Sequence, residues 1–101
     1  MSINIYSMDE KMNMNVSWDE FTYTRELISD CFERNTTPNL THFFSQSGEV
    51  GEITSLTCEE LLNGIEHIQI RTDSGGEYLP FNKFRTILRY CVDTRQGLYW
   101  C

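Results

Sequence analysis

The residues best suited to nucleophilic or metal chemistry are two histidines and four cysteines. His42 stands in "LTHFF" and His67 in "GIEHIQI", and neither has a serine, cysteine or acid at the spacing of a catalytic motif. A Cys–His–Asp set is obtained only by borrowing Cys58, His42 and Asp73 from three separate segments. The cysteines fall at 31, 58, 91 and 101, whereas a zinc site needs ligands in close pairs so that one turn aims both at one ion. They read as free thiols packing as small apolar side chains, with a Cys91–Cys101 bridge as the alternative. No metal and no cofactor is expected.

Carboxylates are plentiful, but Asp19-Glu20 and Glu59-Glu60 fall where helices should begin, and negative charge there is favoured by the helix dipole for structural reasons. "SGGE" at 74–77 lacks the strand and lysine of a phosphate loop. A chain of 101 residues also leaves little room for a sugar cleft between paired acids. The sequence therefore reads as a binding protein and not an enzyme.

Charge separates the two ends of the chain. Residues 1–60 carry a net charge of −8 and residues 61–101 a net of +1, for a total of −7. A net negative chain repels the phosphate backbone, so direct nucleic-acid binding is disfavoured, while a basic protein surface is attracted. No run approaches the roughly 18 apolar residues of a membrane helix, and the first residues lack the basic start and apolar run of a signal peptide, so no membrane association and a cytoplasmic location are expected.

These groups must be positioned by a fold read from periodicity. Hydrophobic content of 40% suits one folded domain over residues 1–101. Alternation at Ile3 and Ile5, and at Met12, Met14 and Val16, predicts a hairpin with "DEK" as its turn. Ser17 precedes Glu20 by three, a capping box that opens a helix over 18–34 whose apolar face holds Phe21, Ile28, Cys31 and Phe32. Thr57 and Glu60 form a second such box ahead of a helix over 58–69. Gly64 weakens that helix unless something packs against its missing side chain. Pro80 opens a third helix over 80–95, with Gly97 placed to end it.

Residues 35–56 show no sustained period, and "LTHFF" and "EITSL" fit short strands or loops equally well. The last residues, "LYWC", place two aromatic rings side by side; they are expected to lie back on the domain as a strand or plug, the competing reading being an exposed anchor for a partner. The expectation is an α+β fold: an N-terminal β-hairpin packed with three helices, and a C-terminal segment able to join the sheet as a third strand.

The preferred function is inhibition or neutralisation of a protein target with a basic surface. Trp18, Asp19, Glu20, Tyr23, Glu26, Asp30, Glu33, Glu59 and Glu60 are the candidate contact residues. Immunity proteins and virus-encoded anti-defence proteins are similar in charge and size alone. In a second reading Arg71, Lys83, Arg85, Arg89 and Arg95 receive a nucleotide or other anion on the basic face of the third helix, the competing idea being that they pair with the acidic first helix. In a third, the chain is a homodimer or assembly subunit joined through "HFF" and the aromatic tail.

Overall fold

The computed structural model describes residues 2–32, 37–46, 48 and 50–101. Strands β1 (Ser2–Ser7) and β2 (Asn13–Ser17) form the expected antiparallel hairpin, with Ile3 opposite Val16 and Ile5 opposite Met14. The turn between them has no glycine because Glu10 itself takes the left-handed conformation, at φ 61°. Asp9 holds it there: its carboxylate accepts from the Ser7 hydroxyl at 2.7 Å and from the Lys11 amide at 3.0 Å.

Helix α1 (Trp18–Phe32) opens on the capping box read from sequence. The Ser17 amide donates to Glu20 Oε1 at 2.9 Å, and the Glu20 amide donates to Ser17 Oγ at 3.0 Å. The stretch without a period holds two further elements, α2 (Pro38–Ser45) and β3 (Gly51–Ile53). Helix α2 is capped by Thr37, whose hydroxyl accepts the Leu40 amide at 3.3 Å, and Pro38 fills a first-turn position that needs no amide.

Helix α3 runs Ser55–Ile65, not 58–69. Its cap is Thr54, which accepts the Thr57 amide at 3.3 Å, so Thr57 lies inside the first turn and the Thr57–Glu60 box is not made. Glu60 instead accepts the Thr37 hydroxyl at 2.7 Å and ties α3 to the start of α2. The contact that Gly64 needs is present: a Cβ there would lie 2.3 Å from the Phe32 ring. A turn follows, with Gly75 at φ 90°, and then α4 (Leu79–Asp93), which buries Phe81, Phe84, Ile87, Leu88 and Cys91.

Gly97 does not end α4. The chain reverses at Arg95, in the left-handed region at φ 56°, and Gly97 serves a different need. A Cβ on it would lie 2.1 Å from the Ile53 carbonyl oxygen, so only glycine lets the returning chain pass β3. Beyond it β4 (Leu98–Trp100) pairs with both β1 and β3, giving a four-stranded antiparallel sheet in the order β2-β1-β4-β3.

The aromatic tail is thus an inner strand. Trp100 is fully buried, 5.3 Å from the Phe21 ring and 6.0 Å from Phe43, both edge-on. Inward residues of the sheet (Ile3, Ile5, Met14, Val16, Ile53, Leu98, Trp100) meet the helices and are buried. Outward residues are polar or aromatic, with Tyr6 stacked on Tyr99 at 5.2 Å and Asn15 bonded to Asn4 at 2.8 Å. The Tyr99 hydroxyl donates to Glu10, which pushes its pKa up to about 12.

Asp9 also reaches across to the end of α4. It accepts from the Tyr90 hydroxyl at 2.6 Å and from the Gln96 side-chain amide at 3.0 Å. These donors, Tyr90 foremost, hold its carboxyl well below the ordinary carboxylate range. A carboxyl whose folded pKa is depressed stabilises the fold above its unfolded pKa, and that contribution is lost as pH falls through and below the usual carboxylate value. Asp9→Asn is expected to flatten the acid limb of a melting-temperature profile between roughly pH 5 and 2. Parallel wild-type and variant acid limbs would show that the contacts do not carry the effect.

Candidate functional site

Helical spacing puts Asp19, Tyr23, Glu26 and Asp30 on one stripe of α1, at steps of four, three and four. All four are exposed. Tyr23 is 49% exposed and stands perpendicular to the Tyr78 ring at 5.4 Å, so it is braced while about half of it stays open to solvent. Trp18 is half-buried, 6.3 Å from Phe21, and Glu20 is engaged in the capping box. Glu33 lies outside the described residues.

Arg25 has the opposite orientation, although it is the only base of α1. It is 8% exposed and lies 4.9 Å over the Phe21 ring and 5.7 Å over Trp18. Its guanidinium donates to the carbonyls of Phe43, at 3.5 Å, and of Gln46, at the C-terminal end of α2. That end carries partial negative charge, which offsets the loss of solvation that pulls the Arg25 pKa down. The outward face of α1 is left acidic as a result. Beside it, between α1 and α2, a hollow of about 210 Å³ is lined by Thr22, Arg25, Glu26, Ser29 and Phe44.

The remaining acids do not join this stripe. Glu60 is bonded to Thr37, and Glu59 lines a different hollow with Ser55, Val92 and Arg95. The acidic set therefore divides into the face of α1 and two separate positions on α3.

The five bases are likewise given separate tasks. Arg85 is half-buried and not on the outer face of α4: it donates to the carbonyls of Ile65, at 3.2 Å, and Ile68, and packs over Phe81 at 5.4 Å. It thereby caps α3 from outside, which is one reason that helix stops at Ile65. Arg89 pairs with Glu66 at 2.9 Å, the one ion pair among the described residues, and not with α1. Arg71 holds the turn after α3 through the Gly75 carbonyl at 3.2 Å. Lys83 lines a groove beside β2, and Arg95 lies with Glu59.

Groups suited to covalent chemistry are dispersed. Cys58 is buried between α3 and α4, where contact with the Cys91 thiol pushes its pKa up, while Asp73 and His42 are exposed on other elements. All four cysteines are free, and Cys91 turns its thiol toward the Gly97 carbonyl at 3.5 Å. Among the described residues no three metal-ligating side chains come together, and no helix is long and apolar enough to cross a membrane.

Sequence reasoning missed the inward turn of Arg25 and Arg85. A signal was there, since Arg25 lies one turn after Phe21 and three before Ile28, within the apolar face. No family model, curated protein or solved structure matches the chain.

Proposed function

We propose that this protein acts by binding, without catalysis, and inhibits a protein target by docking the α1 stripe onto that target's basic surface. The reading rests on one observation: Asp19, Tyr23, Glu26 and Asp30 share an exposed face while the helix's only base is turned inward. Such a face steers a cationic partner from a distance, and a braced tyrosine supplies apolar contact area at low entropic cost. The burial of Leu98 and Trp100 in β4 weighs against the tail as an exposed aromatic anchor. The commitment of Arg85 and Arg89 to Ile65, Ile68 and Glu66 weighs against a shared anion site on α4.

The test is a charge reversal within the stripe. Glu26→Lys with Asp30→Lys replaces two attractions by two repulsions and is expected to weaken target binding by about 100-fold or more at low salt. Glu59→Lys, on α3, should leave binding within a few-fold, and wild-type affinity should fall steeply with added salt. Captured targets that bind the reversed stripe as tightly as the wild type would refute the assignment. Targets bound but not inhibited would refute the inhibitory role.

A further inference from the structure

Two thiols meet inside the core. Cys58 of α3 and Cys91 of α4 are both fully buried, each on the apolar side of its helix. The two helices run antiparallel. At one end Arg85 reaches the Ile65 carbonyl at 3.2 Å and Arg89 pairs with Glu66 at 2.9 Å, and at the other Ser55 and Glu59 share a hollow with Val92 and Arg95. Each helix rises about 1.5 Å per residue, so seven residues back from Ile65 and six on from Arg85 bring Cys58 level with Cys91.

Hydrogen bonds confirm that placement. The Cys58 thiol donates to Cys91, and Cys91 in turn donates to the Gly97 carbonyl at 3.5 Å. Cys101 is no rival partner, being exposed beyond β4 with its main chain bonded to Asn4 at 2.9 and 3.0 Å. The residues flanking the pair open to the surface: Thr57 and Gly97 line a hollow of about 310 Å³, and Glu59 and Val92 one of about 410 Å³. A reagent the size of hydrogen peroxide therefore reaches the thiols by a local opening of one side-chain layer.

We propose that Cys58 and Cys91 are a redox pair, closed by a hydroperoxide into a disulfide that fastens α3 to α4. Cys91 is the attacking sulfur, because the hydrogen bond it accepts from Cys58 holds its pKa below the ordinary thiol value and favours its thiolate. It takes the outer oxygen of the hydroperoxide and becomes a sulfenic acid, and the cleaved O–O bond leaves an alcohol, or water where the reagent is hydrogen peroxide. Cys58 then attacks the Cys91 sulfur. The S–O bond breaks, and the departing hydroxide carries off the Cys58 proton as water. Two thiols are oxidised and one peroxide bond is reduced. The bridge restricts the unfolded chain between the two helices and so stabilises the fold. Helix α1 contributes neither thiol, so this pair is independent of target binding.

The test uses the full chain treated with hydrogen peroxide, alkylated in denaturant and digested with trypsin. Cleavage after arginine and lysine leaves each of the four cysteines in its own peptide. The expected product is a link between the Cys58 and Cys91 peptides, in a chain lighter by two hydrogens. Its melting temperature should rise by at least about 5 °C and return when a thiol reductant is added. In Cys58→Ala the sulfenic acid has no resolving partner, so dimedone should label Cys91; in Cys91→Ala it should leave Cys58 unlabelled. Links that join Cys101 or Cys31 and never Cys58 to Cys91 overturn the proposal, as do four free thiols after treatment or a bridged chain that melts no higher than the reduced one. Dimedone labelling of Cys58 in place of Cys91 overturns the order of attack.

Discussion

A chain cut after Gly97 is expected to lose its cooperative fold. The segment removed, β4, is, among the described residues, the only strand that pairs with β3 and one of two that pair with β1. It also carries Leu98 and Trp100, both fully buried, and Trp100 sits where Phe21 of α1 and Phe43 of α2 meet. Replacing a buried tryptophan by alanine costs about 3–5 kcal/mol, against a total stability of roughly 5–15 kcal/mol for a chain of this length. Trp100→Ala should therefore lower the melting temperature by roughly 15 °C or more, and the truncation should leave no transition at all. Trp100→Phe, which keeps most of the ring contact, should fall between. A cooperative melt after truncation would show that β1, β2 and the helices suffice without their connecting strand.

Arg25→Ala is expected to be the most damaging substitution of a charged residue. Removing the guanidinium strands the Gln46 carbonyl at the end of α2, leaves the Phe43 carbonyl with the Gln46 amide as its remaining donor, and removes the stem that covers Phe21 and Trp18. An unsatisfied buried acceptor costs about 1–3 kcal/mol, and loss of packing adds to it. Arg25→Met separates the two effects, since it restores most of the apolar stem and none of the donors. The expected order of melting temperature is wild type, then Met, then Ala. A methionine variant as stable as the wild type would mean that the carbonyls are satisfied by solvent.

Both expectations turn on what periodicity could and could not reveal. The hairpin, α1 and α4 were legible because each has a long apolar pattern and a start signal: alternation for the strands, Ser17 with Glu20, and Pro80. Helix α2 has its own start signal in Thr37-Pro38, but eight residues with only Leu40 and Phe43 buried are too few to establish a period. A strand of three residues, β3, has no period to show. The start of α3 was misplaced because Thr54 and Thr57 are both good caps spaced by one turn, and choosing between them depends on the partner that Glu60 finds on Thr37.

The candidate site was legible to the same extent as its helix. Spacing alone places Asp19, Tyr23, Glu26 and Asp30 on one face, whereas Glu59 and Glu60 could be separated from them only once α3 was in place. Arg25 and Arg85 were hidden for a common reason. Their partners are main-chain carbonyls at the ends of other helices, and carbonyls leave no mark in a sequence.

Joining Ile5 to Trp100 has a kinetic consequence. That ladder closes a loop of nearly the whole chain, and the entropy of closing it must be met before the contact returns any stabilisation. Helical proteins of similar size assemble from neighbours along the chain, in microseconds to milliseconds. Here the slow event is the meeting of distant segments, which places refolding toward the millisecond-to-second range despite the abundance of helix.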